Sequence, residues 1–391
     1  MSTEVQADLQ RLFDSSSRPN PYPVLQRLRE ASPCPIVDGA VVLLARHADC
    51  STILRNRTVS SKREGSPSFF SLDPPEHTRL RGLTAKAFTP KRVDACAPRI
   101  RATAHELVEK AATTGSFDLV SDYAYTITAR TICDMFGVPD GDHEIFRDWT
   151  RLLTLAIDPQ IIPNPIFNNQ VEQARLQFNE YFAPMIADRR AHPRDDLITA
   201  LINVTDGGDH LTETELLDTF VLLIVAAHEN PVGLIGNTML ALLNHPDQLA
   251  AVRENPELAA AAVEETLRYD APAQMTGRTA TEPIELGDLE IQPGTGLFLM
   301  LAAANRDPDA HPDPDRFDIS RASTNHLAFA AGPHFCMGAD LAKLEARIAV
   351  EVLTQRLVDP AYDPEALKYK PNVSIRGPLE MPMSFSGITS A

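Results

Sequence analysis

Cys336 stands in the string Phe329-Ala330-Ala331-Gly332-Pro333-His334-Phe335-Cys336-Met337-Gly338, where two glycines and a proline surround one thiol. Leu341, Leu344, Ile348 and Val352 follow at helical spacing, so the string reads as a loop feeding a helix N-terminus. Free backbone N–H groups and the positive end of the helix dipole favour a thiolate there, the form of cysteine that binds metals or attacks electrophiles. Gly332 and Gly338 would let the backbone lie close to a flat group. On spacing alone, metal ligation, nucleophilic catalysis and a structural thiol all stay open.

Three other groupings have side chains suited to chemistry. Glu265 and Arg268 lie one helical turn apart in Glu265-Thr266-Leu267-Arg268 and can pair. His77 and Arg81, four residues apart on one helical face, make a cationic pair. Glu229, Asn230 and Pro231 put an acid, an amide and a helix breaker together. Taken singly, the Glu–Arg and His–Arg groupings fit a solvated surface better, and Asn230 fits equally well as an amide that satisfies backbone freed by Pro231.

The elements that must position these residues are mostly helices. Apolar residues three or four apart mark helices over residues 93–113, 121–136 and 170–190. The longest pattern opens on a capping box, Thr212 with Glu215, and runs to Asn244, where His245-Pro246 stops it. Unbroken, it would measure about 50 Å, and its centre is apolar on nearly every face, as a buried central helix requires. Pro231 is expected to kink or open it. A further helix covers 258–269. Then Gly287, Pro293, Gly294 and Gly296 space strand-like segments near 283–300, and another β-like stretch spans 373–385. The expected fold is mainly α with a smaller β region, organised as a single domain over residues 1–391.

Composition narrows the function classes. The formal charge of −17 disfavours nucleic acid and anionic membranes as partners. The N-terminus lacks a signal-peptide layout, and the longest strongly apolar run, 220–227, is too short to span a bilayer, so a cytoplasmic location is expected. Five cysteines at wide, irregular intervals contain no CxxC pair, which argues against a zinc site or a disulfide framework.

The string around Cys336 resembles the haem-binding loop of the cytochrome P450 family, in which a Phe, a Gly, a His or Arg and the ligand Cys recur at these offsets. Glu265-Thr266-Leu267-Arg268 resembles the family's Glu-x-x-Arg helix, and the likeness extends from about Asp73 to Arg376. The resemblance implies a P450 fold, with haem b (iron protoporphyrin IX) between the central helix and the cysteine loop. It makes Cys336 the iron ligand. His77, Arg81, Arg278 and His334 fall at propionate positions, and Phe329, Gly338 and Ala227 would line the cofactor. Glu265, Arg268 and Arg316 would form one ion network behind the ligand loop. The same likeness lines the substrate pocket with Phe69, Phe70, Ala226, Ala273, Met275 and Ile375, and with residues 161–169 as a Pro-rich lid. Asn305-Arg306-Asp307-Pro308 also matches a family segment, with no chemistry evident beyond turn formation.

One departure concerns chemistry. The family's central helix carries Ala/Gly-Gly-x-Asp/Glu-Thr, whose acid and alcohol relay protons during oxygen activation; here it reads Ala226-Ala227-His228-Glu229-Asn230-Pro231. Glu229 supplies the acid, but Asn230 replaces the alcohol, and an amide holds a water without relaying a proton as a hydroxyl does. Glu229 and Asn230 are therefore the candidate catalytic pair. The implied activity is an O2-dependent oxidase or monooxygenase acting on a small, mostly apolar molecule, in keeping with secondary metabolism. Radical coupling, desaturation, peroxide-driven oxidation and a non-catalytic haem sensor or carrier are the alternatives. No flavin or dinucleotide fingerprint is present, so electrons are expected from a ferredoxin or flavodoxin-type donor with its reductase. Lys343 and Arg347 are candidates for attracting it.

Overall fold

The computed structural model describes residues 3–62, 68–142, 145–155 and 165–390. The architecture is mainly α-helical with a smaller β region, built around the central helix Glu213–Asn244. Thr212 opens that helix with the capping box: its hydroxyl accepts from the Glu215 N–H at 3.3 Å, and the Glu215 carboxylate accepts from the Thr212 N–H at 2.9 Å. Arg79 braces this end through ion pairs of 2.6 Å to Glu215 and 2.6 Å to Asp209.

Pro231 lies inside the helix without interrupting it, contrary to the expectation from its missing N–H. Packing on both halves explains the difference. Towards the N-terminus, Leu216, Phe220 and Ile224 join Phe136, Phe178 and Phe182 in one buried cluster, with the Phe136 and Phe220 rings edge to face at 5.2 Å. Towards the C-terminus, Val232, Ile235 and Met239 pack with Leu267, Ile348 and Val352. Each buried large apolar side chain contributes about 1.5–3 kcal/mol, so the neighbours on either side outweigh one lost backbone bond. By length and composition this helix would also cross a membrane, but 67% of its most apolar window is buried inside the protein.

Several expected helices change their ends for local reasons. Residues 93–113 form two helices, Pro90–Ala95 and Ala97–Ala112, because Pro98 cannot donate into the preceding turn and serves instead near the start of the second. Residues 121–136 begin as a π-helical turn, Leu119–Ala124, capped by Asp118, and continue as Tyr125–Phe136. The third helix starts earlier than expected and spans Pro165–Ala191.

The main sheet has five strands in the order Cys34–Ile36, Val41–Leu44, Gly296–Leu299, Thr276–Ala280, Val59–Ser60, with only the Val41–Leu44 and Gly296–Leu299 pair parallel. Arg278 pairs with Leu297 in this sheet, which fixes the arginine on a rigid element. Ile284–Leu286 forms a separate hairpin with Leu289–Ile291. Of residues 373–385, only Pro378–Glu380 and Pro382–Ser384 are strands, and they belong to different small sheets. The part before them is an irregular loop, with one isolated bridge from Ile375 to Ala273.

Candidate functional site

The loop before the helix Ala339–Arg356 is shaped by two left-handed residues, Ala330 (φ 57°) and Gly332 (φ 69°), and by a single 3-10 turn over Gly332–His334. Two backbone bonds close it: Cys336 N–H to Phe329 O at 2.9 Å and Phe335 N–H to Gly332 O at 3.0 Å. A side chain at Gly332 would put its Cβ 2.4 Å from the Leu54 carbonyl oxygen. Gly332 therefore admits the backbone of the helix His47–Arg55, which corrects the expectation that it admits a flat group. At Gly338 a Cβ would meet no atom within 4 Å, so that glycine keeps open ground beside the thiol.

Cys336 is exposed at the loop surface, yet enough protein surrounds it that burial pushes its thiol above the ordinary value. The Gly338 N–H and the Arg81 cation pull it back towards the thiolate. Such a thiol gains most from a cation placed directly on the sulfur.

A cluster of cationic and imidazole groups stands beside the loop. The His77 and His334 rings lie with centroids 4.1 Å apart, and Arg81 Nη2 donates to Phe335 O at 2.6 Å. Burial, then His77, Arg278 and Arg81, push His334 down to about 4, so those three groups lie within electrostatic reach of His334. His77 is 3% exposed, and neither of its ring nitrogens has a hydrogen-bond partner in the protein. Orphaned buried nitrogens among guanidinium groups fit anionic oxygens. A thiol with bare ground beside it, flanked by donors for two carboxylates, suits a flat metal-centred dianion.

Behind the loop, Glu265 is 1% exposed and Arg268 grips it bidentately, Nε to Oε2 and Nη2 to Oε1, both at 2.8 Å. The second arginine is not Arg316. Arg321 Nε reaches Glu265 Oε1 at 3.0 Å, whereas the Arg316 side chain is 68% exposed and faces Asp318 at 3.8 Å. The intervening turn explains the exchange: the Asp318 N–H also donates to Glu265, at 2.9 Å, which brings the chain back towards the carboxylate beyond Arg316. Arg316 contributes its carbonyl, which accepts from both Arg268 and Arg321 at 3.0 Å. The Asn305 segment is more than a turn, since its side chain accepts from Leu327 N–H at 2.7 Å and donates to Leu267 O at 3.2 Å.

On the central helix, Ala226 is exposed and Ala227 half-buried, while His228 is fully buried with its Nδ1 bonded to Ile224 O at 2.7 Å. Glu229 is ion-paired to Lys370. The Asn230 side-chain oxygen is buried and has no partner.

The remaining expected residues scatter. Ala273 and Ile375 are bridged directly. Phe69 is buried with Leu80, Leu83 and Phe220, and Phe70 is exposed. Met275 is buried with Leu25, Leu28 and Met300 in the cluster under the N-terminal helices, so it packs core and not pocket. Phe329 is partly buried against the central core. Residues 161–164 of the Pro-rich segment lie outside the described residues. Lys343 is engaged by Glu264 at 3.1 Å, which weakens it as a docking cation, and Arg347 is exposed. Sequence reasoning missed Arg321 and Lys370, and no local spacing signals either.

Comparison with known proteins agrees with this geometry. Residues 40–357 match the family described as Cytochrome P450. Over 320 residues the chain is 42% identical to Cytochrome P450 107B1 of Saccharopolyspora erythraea, covering 81% of this chain and 77% of that protein. It is 37% identical to the Mycinamicin IV hydroxylase/epoxidase of Micromonospora griseorubida over 318 residues, 80% of this chain and 78% of that one. The ligand-free crystal structure of CYP164A2 from Mycobacterium smegmatis superposes with a TM-score of 0.91 at 36% identity, covering 97% of this chain and 100% of that chain.

Proposed function

Because the chain belongs to the cytochrome P450 family and is an oxidoreductase of the monooxygenase type, we propose that it oxidises a small, mostly apolar secondary metabolite in the cytoplasm. Dioxygen is the oxidant in this reading, and electrons come from a ferredoxin or flavodoxin-type donor with its reductase. The observation that carries it is the Cys336 thiol set in a glycine-bounded loop beside His77, Arg81, Arg278 and His334. These residues would hold haem b, with Cys336 on the iron and the His and Arg cluster on the propionates. When bound, the haem would supply oxygen activation, favoured by the electron-rich thiolate of Cys336.

The chain's own residues do the rest. Glu265, Arg268 and Arg321 keep the ligand loop rigid from behind. Phe69, Ala226, Ala273 and Ile375 offer apolar surface, which favours a ligand with little charge. Glu229, ion-paired to Lys370, is the acid on the central helix that would handle protons. Asn230 offers a buried, unpartnered acceptor and no hydroxyl, which also supports radical coupling or desaturation, reactions that do not insert oxygen. The name of the Micromonospora relative supports hydroxylation or epoxidation of a natural product.

Two measurements test the reading. The reduced, carbon monoxide-treated protein is expected to show the red-shifted haem band of a thiolate ligand, lost in Cys336→His. Incubation with a surrogate ferredoxin, its reductase and a panel of apolar natural products is expected to give oxidised product. A colourless protein after haem supply overturns the cofactor assignment, and a correctly ligated protein inert towards every compound and electron donor overturns the catalytic one.

A further inference from the structure

Residues 370–377 form one loop between the paired strands Lys368–Tyr369 and Pro378–Glu380. The Lys370 N–H closes it by donating to Gly377 O at 3.1 Å. The loop lies hard against the central helix. A Cβ at Gly233 would stand 3.0 Å from Arg376 O, one at Gly236 2.8 Å from Pro378 Cγ, and one at Gly377 2.9 Å from the Gly233 Cα. Three glycines thus remove the side chains that would separate loop from helix. At its far end the loop is tied to the expected substrate wall: Gln274 N–H donates to Ser374 O at 2.9 Å, Arg376 N–H to Pro272 O at 2.7 Å, and Ile375 bridges Ala273.

At its near end the loop delivers a cation to the acid on the central helix. The Lys370 side chain is 5% exposed, and its ammonium forms an ion pair with the Glu229 carboxylate, itself 18% exposed. The same ammonium donates to the Glu229 backbone carbonyl at 3.1 Å. One cation therefore holds both the carboxylate and the main chain of Glu229, two residues before Pro231. A lysine with its head group buried has lost its water, so this double contact is what keeps it there. Breaking such a pair on one side leaves the other charge without a partner. His228 on the same helix lies within electrostatic reach of Glu229, and the Tyr125 ring lies 5.6 Å from that of His228.

We propose that Lys370 is the positioning residue for Glu229, fixing the direction of its carboxylate from the loop that also carries Ile375. The assignment rests on the reading of Glu229 as the acid that handles protons. It gives that acid a defined rotamer despite the missing alcohol at position 230. Because one short loop carries both Lys370 and Ile375, the direction of the acid is tied mechanically to the substrate wall.

The test uses the haem-loaded full-length protein with a surrogate ferredoxin and reductase, comparing Lys370→Met, Lys370→Arg, Glu229→Gln and the double variant Lys370→Met/Glu229→Gln. The first readout is independent of turnover: the infrared carboxylate band identified by its loss in Glu229→Gln is expected to move in Lys370→Met and to stay in place in Lys370→Arg. The second is the fraction of electrons released as hydrogen peroxide, with its solvent deuterium isotope effect. Lys370→Met is expected to raise that fraction at least about threefold, Lys370→Arg to stay within about twofold of the parent, and the double variant to match Glu229→Gln alone. Additive effects in the double variant, or an unmoved carboxylate band, overturn the positioning role. If Lys370→Met does not fold, Lys370→Gln takes its place in both readouts. If Glu229→Gln itself changes neither peroxide nor isotope effect, the proton-handling reading fails, and the inference fails with it.

Discussion

Arg321 donates its Nε–H to Glu265 Oε1 at 3.0 Å across 56 residues of chain, onto the same oxygen that Arg268 Nη2 reaches at 2.8 Å. Without Arg321 the carboxylate, 1% exposed, keeps Arg268 but loses one charged hydrogen bond. Arg321→Ala is expected to cost about 1.5–3 kcal/mol, the usual contribution of a hydrogen bond to a charged group. Arg316→Ala, which removes an exposed side chain and leaves its carbonyl in place, is expected to stay within about 0.5 kcal/mol of the parent. Denaturant unfolding of the haem-loaded proteins checks both, and similar losses in the two variants would contradict the network drawn here.

The imidazoles beside the loop make an acid-sensitive feature. His334 is pushed down to about 4 by burial and by neighbouring His77, Arg278 and Arg81, so between its ordinary value and about 4 the unfolded chain binds a proton that the folded one refuses. Stability from this group is complete above the ordinary histidine range and declines as pH falls towards about 4. His311, also lowered to about 4 with burial as its main cause, adds the same slope elsewhere in the fold. Haem-free His334→Gln is expected to show a shallower loss of melting temperature on acidification than the parent, measured by thermal scans across that range. An unchanged slope would remove His334 from the account.

Arg81, proposed above to hold a propionate, also holds the Phe335 carbonyl of the ligand loop at 2.6 Å. A hydrogen bond to a charged group contributes about 1.5–3 kcal/mol. Arg81→Gln is accordingly expected to lose haem about tenfold faster or more, followed by transfer to a haem-free acceptor protein. Arg347→Gln, at an exposed position, serves as the control and should lose haem at the parental rate.

Asn230 leaves a buried acceptor unpartnered where a hydroxyl is usual in the family. Asn230→Thr restores an alcohol next to Glu229 and is expected to lower the share of electrons lost as peroxide at least about twofold, since a positioned proton donor often accelerates its step by ~10²–10⁴. Peroxide released per reduced cofactor consumed measures this. An unchanged ratio would mean that position 230 does not govern proton delivery.

What the chain discloses in one dimension follows the range of the physics involved. The capping box of Thr212 and Glu215 and the loop-to-helix pattern at Cys336 depend on neighbours a few residues away, and both lie where the spacing puts them. Apolar periodicity runs on through residues 93–113 and masks the break that Pro98 makes. The choice between Arg316 and Arg321 turns on the path of one short loop, which periodicity does not describe. Lys370 meets Glu229 across 141 residues, a pairing that only the folded chain brings about.

The contact of Gly332 with the Leu54 carbonyl joins two points separated by most of the polypeptide. Pairings of such long sequence separation close late, because the loop entropy must be met before the contact offers any return. The cysteine loop therefore takes its final shape only together with the helix His47–Arg55 on which it packs. A prosthetic group captured by that loop is bound by the assembled fold. By mass action it stabilises that fold, so scarcity of the group is expected to lower the stability of the whole chain.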